Sequence, residues 1–91
     1  MLSNSQITDN VTEIRRFEAR IYNAKVRSLI DAGDINDTGF DDRWADSRLI
    51  EVRAQSLDEA LRLFQREYPS HCGFKITAII EIPGHQGDAR R

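Results

Sequence analysis

A single cysteine, Cys72, among 91 residues excludes an internal disulfide, so apolar packing has to hold the fold, and such usage suits a reducing compartment. Two prolines and five glycines are too few for a collagen repeat or a low-complexity linker. Neither sign of charge prevails: thirteen Lys and Arg face fifteen Asp and Glu, for a formal net charge of −2. Bulk charge therefore steers the chain towards no polyanion. The longest uninterrupted apolar run is Ala78-Ile79-Ile80, far short of the ~20 residues a membrane helix needs. Residues 1–10 contain no lysine or arginine, so the basic start of a signal peptide is missing, and a cytoplasmic chain with no membrane association is expected.

What is present suits one small domain. The hydrophobic share is 40% and the charged share 31%, enough to cover a core and far from the composition of a disordered chain. Residues 1–10 lack any apolar period, and the stretch 84–91 after Pro83 offers nothing to bury. Both ends are expected to be disordered, which leaves a single α+β domain over residues 11–83. Charge is uneven along it, with ten acidic against five basic residues over 31–70 and a mildly basic first third.

The clearest element is a helix over 57–67. Ser56 can accept from the backbone N–H three residues on while Glu59 reaches back to Ser56, a capping box. Leu57, Ala60, Leu61, Phe64 and Tyr68 then share one face, and Pro69 stops the helix. The run 74–82 alternates with period two, which sets Phe74, Ile76, Ala78, Ile80 and Ile82 on one face and Lys75, Thr77, Ile79 and Glu81 on the other. Residues 48–54 alternate likewise, with Ile50, Val52 and Ala54 inward. The segment 16–22 reads as a strand with Phe17, Ala19 and Ile21 inward, followed by a helix over 24–32 that Asn23 caps and Gly33 ends. A rival reading, one helix from Thr12 to Ala32, would run its apolar stripe through Lys25.

The order is therefore β-α-β-α-β: about three strands with two helices on one face, a small two-layer α+β sandwich with a split-βαβ character. Its core is expected from Val26, Leu29, Ile50, Val52, Leu61, Phe64, Ile76 and Ile80. The open sheet face would show Glu18, Arg20, Glu51, Arg53, Lys75, Thr77 and Glu81. The last strand, as the longest and most apolar, is expected in the middle of the sheet or covered by a partner, because exposed apolar edges invite pairing.

Chemistry-bearing patterns are sparse. Asp34, Asn36, Thr38, Gly39 and Asp42 follow the spacing of a calcium-binding loop, but Ala45 stands where the bidentate glutamate belongs and flanking helices are missing. Such residues are also the ordinary material of turns. His71 and Cys72 are adjacent and point apart in an extended turn, whereas a nucleophile needs its base oriented towards it. The second histidine, His85, lies thirteen residues beyond Cys72, a spacing that fits no closed zinc pattern. No phosphate cradle is present, since the turn from Gly33 to Gly39 has neither the lysine nor the helix it requires. No catalytic, cofactor or metal site is therefore expected.

Two functional readings remain. The first is a non-catalytic module that binds another protein, with Phe40, Trp44 and Ile79 as contact residues and weak self-association allowed. Trp is the strongest interface anchor, although a Trp in a long loop also serves as a lid over the core edge, and for Trp44 the lid is favoured. The second is a weak nucleic-acid binder using Arg15, Arg16, Arg20, Lys25 and Arg27. Glu13 and Glu18 interleave those cations, and a sheet that reads RNA carries paired aromatics on its open face. A salt titration separates the two, because phosphate binding falls steeply with ionic strength.

Overall fold

A computed structural model describes residues 13–83. Strand β1 (Arg15–Asn23) runs directly into helix α1 (Ala24–Asp31). After a loop holding a 3₁₀ turn (Asp42–Ala45) come β2 (Arg48–Ala54), helix α2 (Leu57–Glu67), a second 3₁₀ turn (Ser70–Cys72) and β3 (Phe74–Ile82). The α+β architecture expected from the sequence is the one observed, and a strand followed by a short helix replaces the rival long helix. The expected disorder at 1–10 and 84–91, and His85 with it, lie outside the described residues.

The three strands form one antiparallel sheet in the order β2-β1-β3. The most apolar strand is thus an edge and not the centre, which overturns the central place expected for β3 and leaves the alternative, cover by a partner. The central place goes to β1, whose inner face carries Phe17, Ala19, Ile21 and Asn23, all buried. It is the strand that both neighbours can cover, while β2 and β3 keep exposed outer positions.

Helix α2 lies over β2 and β1 and buries Ala60 and Phe64 against Phe17, Ala19, Ile21, Ala54 and Phe74. The hydroxyl of Ser56 accepts from the Glu59 N–H at 3.1 Å. Glu59 reaches back one residue further than expected, its Oε1 accepting from the Gln55 N–H at 2.7 Å. Both first-turn carboxylates, Asp58 and Glu59, also suit the positive end of the helix.

Asn23 joins the two halves of the chain. Its Oδ1 accepts from the N–H groups of Lys25 and Val26 at 2.9 and 3.0 Å, and its Nδ2 donates to the Cys72 carbonyl at 3.1 Å. The Ala24 N–H donates to the Gly73 carbonyl at 2.7 Å. Gly73 holds φ +103°, and a Cβ there would come within 2.7 Å of Asn23 Oδ1. Glycine is needed at this point for both its conformation and its lack of bulk.

The pairing of β1 with β3 slips once. Arg20 faces Ala78 while Ile21 faces Ile76, so Thr77 has no opposite residue and forms a bulge. The Thr77 hydroxyl donates to the Arg20 carbonyl at 3.3 Å. An inserted residue exchanges the faces of everything beyond it. Phe74 and Ile76 point inward as expected, but past the bulge it is Ile79 and Glu81 that face inward, opposite Ala19 and Phe17. Ala78, Ile80 and Ile82 turn to the open face, and Ile80 is 55% exposed. Ile80 therefore leaves the expected core and Ile79 packs against it. Glu81 likewise leaves the expected open face. Leu29 and Leu61 are half-buried, at the margin of the core.

Candidate interaction surface

The loop aromatics fold inward. Phe40, Trp44 and Tyr68 surround Phe74, with ring centroids 4.9, 5.2 and 5.4 Å from it, edge-on arrangements that add to their burial. Arg48 stands over the Trp44 ring at 4.8 Å. Trp44 and Phe40 are half-buried in this cluster, so they close the end of the core and only their outer edges meet solvent. Asn36 organises the loop beneath them. Its Oδ1 accepts from the N–H and the hydroxyl of Thr38, and its Nδ2 donates to the Phe40 carbonyl and to Asp42. Among the described residues no three His, Cys, Asp or Glu side chains gather where they would hold a metal ion. No described helix is long and apolar enough to cross a membrane.

The five cations of the first third are not brought into one patch. Arg15 ends the inner face of β1, where its Nε donates to Glu81 at 2.9 Å and its guanidinium covers the Phe17 ring. Arg16 and Arg20 lie on the opposite, open face. Arg16 donates to Glu51 at 2.7 Å, and this bond raises the arginine and holds the Glu51 carboxyl below its ordinary value. Lys25 donates to the His71 carbonyl. Arg27 donates to the Ala45 carbonyl at 2.7 Å and covers the ring of Tyr22 at 3.7 Å. The one aromatic on the open face is therefore already stacked.

The best-formed concavity lies elsewhere, a groove of about 750 Å³ between α2 and β3. It exists because α2 sits over β2 and β1 and leaves the inner face of the edge strand partly bare. Leu61, Gln65 and Tyr68 form its helix wall at steps of four and three, and Phe74, Ile76 and Ile79 form its floor. Pro69, Ser70 and His71 close one end. Leu57, on the same side of α2 one turn before Leu61, is 49% exposed. Beside the groove runs the free edge of β3, with which no strand among the described residues pairs.

Alternation alone could not have found this site. It set Ile79 on the open face, because one unpaired residue in the strand is invisible to a count by twos. The sequence did contain a hint: Ala78-Ile79-Ile80 is the one place in the strand where apolar residues crowd and the alternation loses contrast. Comparison with models of known protein families, with curated proteins and with solved structures finds no match.

Proposed function

We propose that this chain is a non-catalytic protein-interaction module that takes an extended segment of a partner along the outer edge of β3. The observation that carries the reading is the coincidence of two features on one strand. β3 is a nine-residue edge whose outer side pairs with no strand among the described residues, and an apolar groove lies directly beneath it. An added strand would satisfy the edge with main-chain hydrogen bonds and send every second side chain into the groove. Ile79 then acts as a contact residue from the groove floor, while Phe40 and Trp44 hold the Phe74 end of that floor. The dispersal of Arg15, Arg16, Lys25 and Arg27 over both faces, each with an acceptor or a ring, supports this reading over phosphate contact. A cytoplasmic setting, in keeping with one free thiol, belongs to the same proposal.

A photo-crosslinking residue placed at Thr77, on the edge, and separately at Arg53, on the opposite strand of the sheet, tests it in the native host. Adducts with one partner protein from position 77, absent from position 53, are expected, and that partner should protect the amides of 75–80 from exchange. Equal yields at the two positions, or none at either, overturn the reading.

A further inference from the structure

The chemistry of the groove narrows what kind of segment fits, and the inference rests on the docking reading above. We infer that the partner segment is an alternating strand with apolar residues on one face and a carboxylate on the other, placed opposite Lys75. Chain composition alone points the other way, since the domain is acidic overall. Along this groove, however, no carboxylate among the described residues lines the wall or the floor. Among the described residues Lys75, in the strand that floors it, is the one charged residue along the groove, and His71 is its one histidine. Gln65 on the helix wall also borders the shallow depression that Arg62 and Arg66 line, so the rim beyond the helix is basic as well. Lys75 pairs with Tyr22 and thus points to the open face, whereas its neighbours Phe74 and Ile76 point into the groove. A strand added alongside would set a side chain over Ile76 inward and the next one opposite Lys75 outward. Opposite charges at such a cross-strand position attract, and like charges repel.

A second copy of this chain meets those requirements poorly. In an antiparallel β3 pair centred on Ala78, residues 75 and 81 would stand opposite by number. The bulge at Thr77 puts Lys75 on the outer face and Glu81 on the inner one, so they cannot meet. A centre at Ile80 keeps the faces matched over 78–82, but it lays Glu81 of the second copy over Ile79, a carboxylate on an apolar floor. A centre at Glu81 opposes two glutamates. Each of these three registers carries a defect that an alternating strand with an apolar inner face avoids.

The test uses three labelled, end-blocked synthetic peptides against the full chain and its Lys75→Glu variant. One is Glu-Val-Thr-Ile-Thr-Val-Glu, with a carboxylate at both ends so that either strand direction presents one to Lys75. The second replaces both glutamates by lysine, and the third replaces the central isoleucine by proline. The acidic peptide is expected to bind the parent saturably, and the lysine peptide three- to tenfold more weakly. The preference should invert on Lys75→Glu, an exposed change that leaves the core untouched. The proline peptide should not bind, because a strand-interior proline removes a ladder donor. Two results keep edge docking and overturn the inferred chemistry: equal binding of the acidic and lysine peptides, or a preference that Lys75→Glu leaves unmoved. Loss of peptide binding because the chain self-associates in sedimentation assigns the edge to a second copy and overturns the inference as well. Failure of all three peptides, while position 77 still crosslinks a partner, overturns the inference without touching the docking reading.

Discussion

Asn23 is the residue on which most local structure converges. Its side chain is fully buried, and each of its polar atoms has a partner. The same amide caps α1 and holds the turn before β3, so truncation removes a helix cap and also strands the Cys72 carbonyl. Asn23→Ala is expected to cost about 2–3 kcal/mol in chemical denaturation, the sum of a lost cap and an unmet buried acceptor. Asn23→Asp separates the two parts: it keeps the accepting oxygen but replaces the donating amide with a carboxylate facing a carbonyl. It should also destabilise, and a variant as stable as the parent would show that the cap alone matters. Gly73→Ala should lose about 1–3 kcal/mol from its left-handed backbone, and the cost should shrink in part when combined with Asn23→Ala, which clears one of the two side chains a Cβ would strike and leaves Lys25 as the other.

Acid sensitivity also belongs to single residues. Arg16 lowers Glu51 from its ordinary value of 4.5, first through the hydrogen bond and then through charge. The Arg43 N–H lowers Asp41 from 3.8 in the same sense. Because the folded-state values lie below the unfolded ones, these contributions are complete above the unfolded values. They are lost as pH falls through the folded ones. Both carboxylates are exposed, so the effect is small and weakens with salt. The melting temperature of the parent should drop more between about pH 5 and about pH 3 than that of Glu51→Gln, since the variant has no proton to take up there. Parallel curves would show that the Arg16–Glu51 pair has no energetic weight.

At the scale of elements, periodicity was a good guide to what each segment is and a poor guide to one strand's faces. The bounds of β2, α2 and β3 are those the sequence implies, because capping, alternation and the Pro69 stop are all local signals. The error in β3 is physical. Thr77 is a good strand residue with nothing unusual about it, and its lack of a partner is decided across the sheet, at Arg20 and Ile21. A deletion tests this account. Removing Thr77 leaves Ile76 inward, Ala78 outward and Ile79 inward, the faces now observed, so the variant should fold with a loss below about 2 kcal/mol. Removing Ile79 instead would put Ile80 inward and Glu81 outward, which breaks the Arg15–Glu81 bond and should cost more. Equal damage from the two deletions would argue against the bulge as the cause of the inversion.

At the scale of the molecule, strand order was not legible, since nothing local distinguishes a central strand from an edge when all three are amphipathic. The choice rests on β1 having the most completely buried inner face, which is a property of the assembled sheet. The two edges also differ. The open face of β2 carries Glu51 and Arg53 beside an exposed Leu49, 59% accessible, and charges on an edge discourage pairing. The equivalent face of β3 beyond the bulge carries Ala78, Ile80 and Ile82.

The middle strand of the sheet is also the first to be made. Fifty-nine residues separate the end of β1 at Asn23 from the end of β3 at Ile82. At ordinary elongation rates that is a delay of about 3–12 s, and only in its second half, once β2 is complete at Ala54, can β1 meet even one of its neighbours. Through that interval Phe17 and Ile21 have a half-built wall, and Asn23 lacks the Cys72 carbonyl that holds it. Translation of this domain thus carries a waiting period in which an apolar strand is open to the wrong company, such as another nascent chain on the same message. Chains arrested with β3 still inside the ribosome should be digested readily by added protease, and chains released past Ile82 should become resistant in a single step.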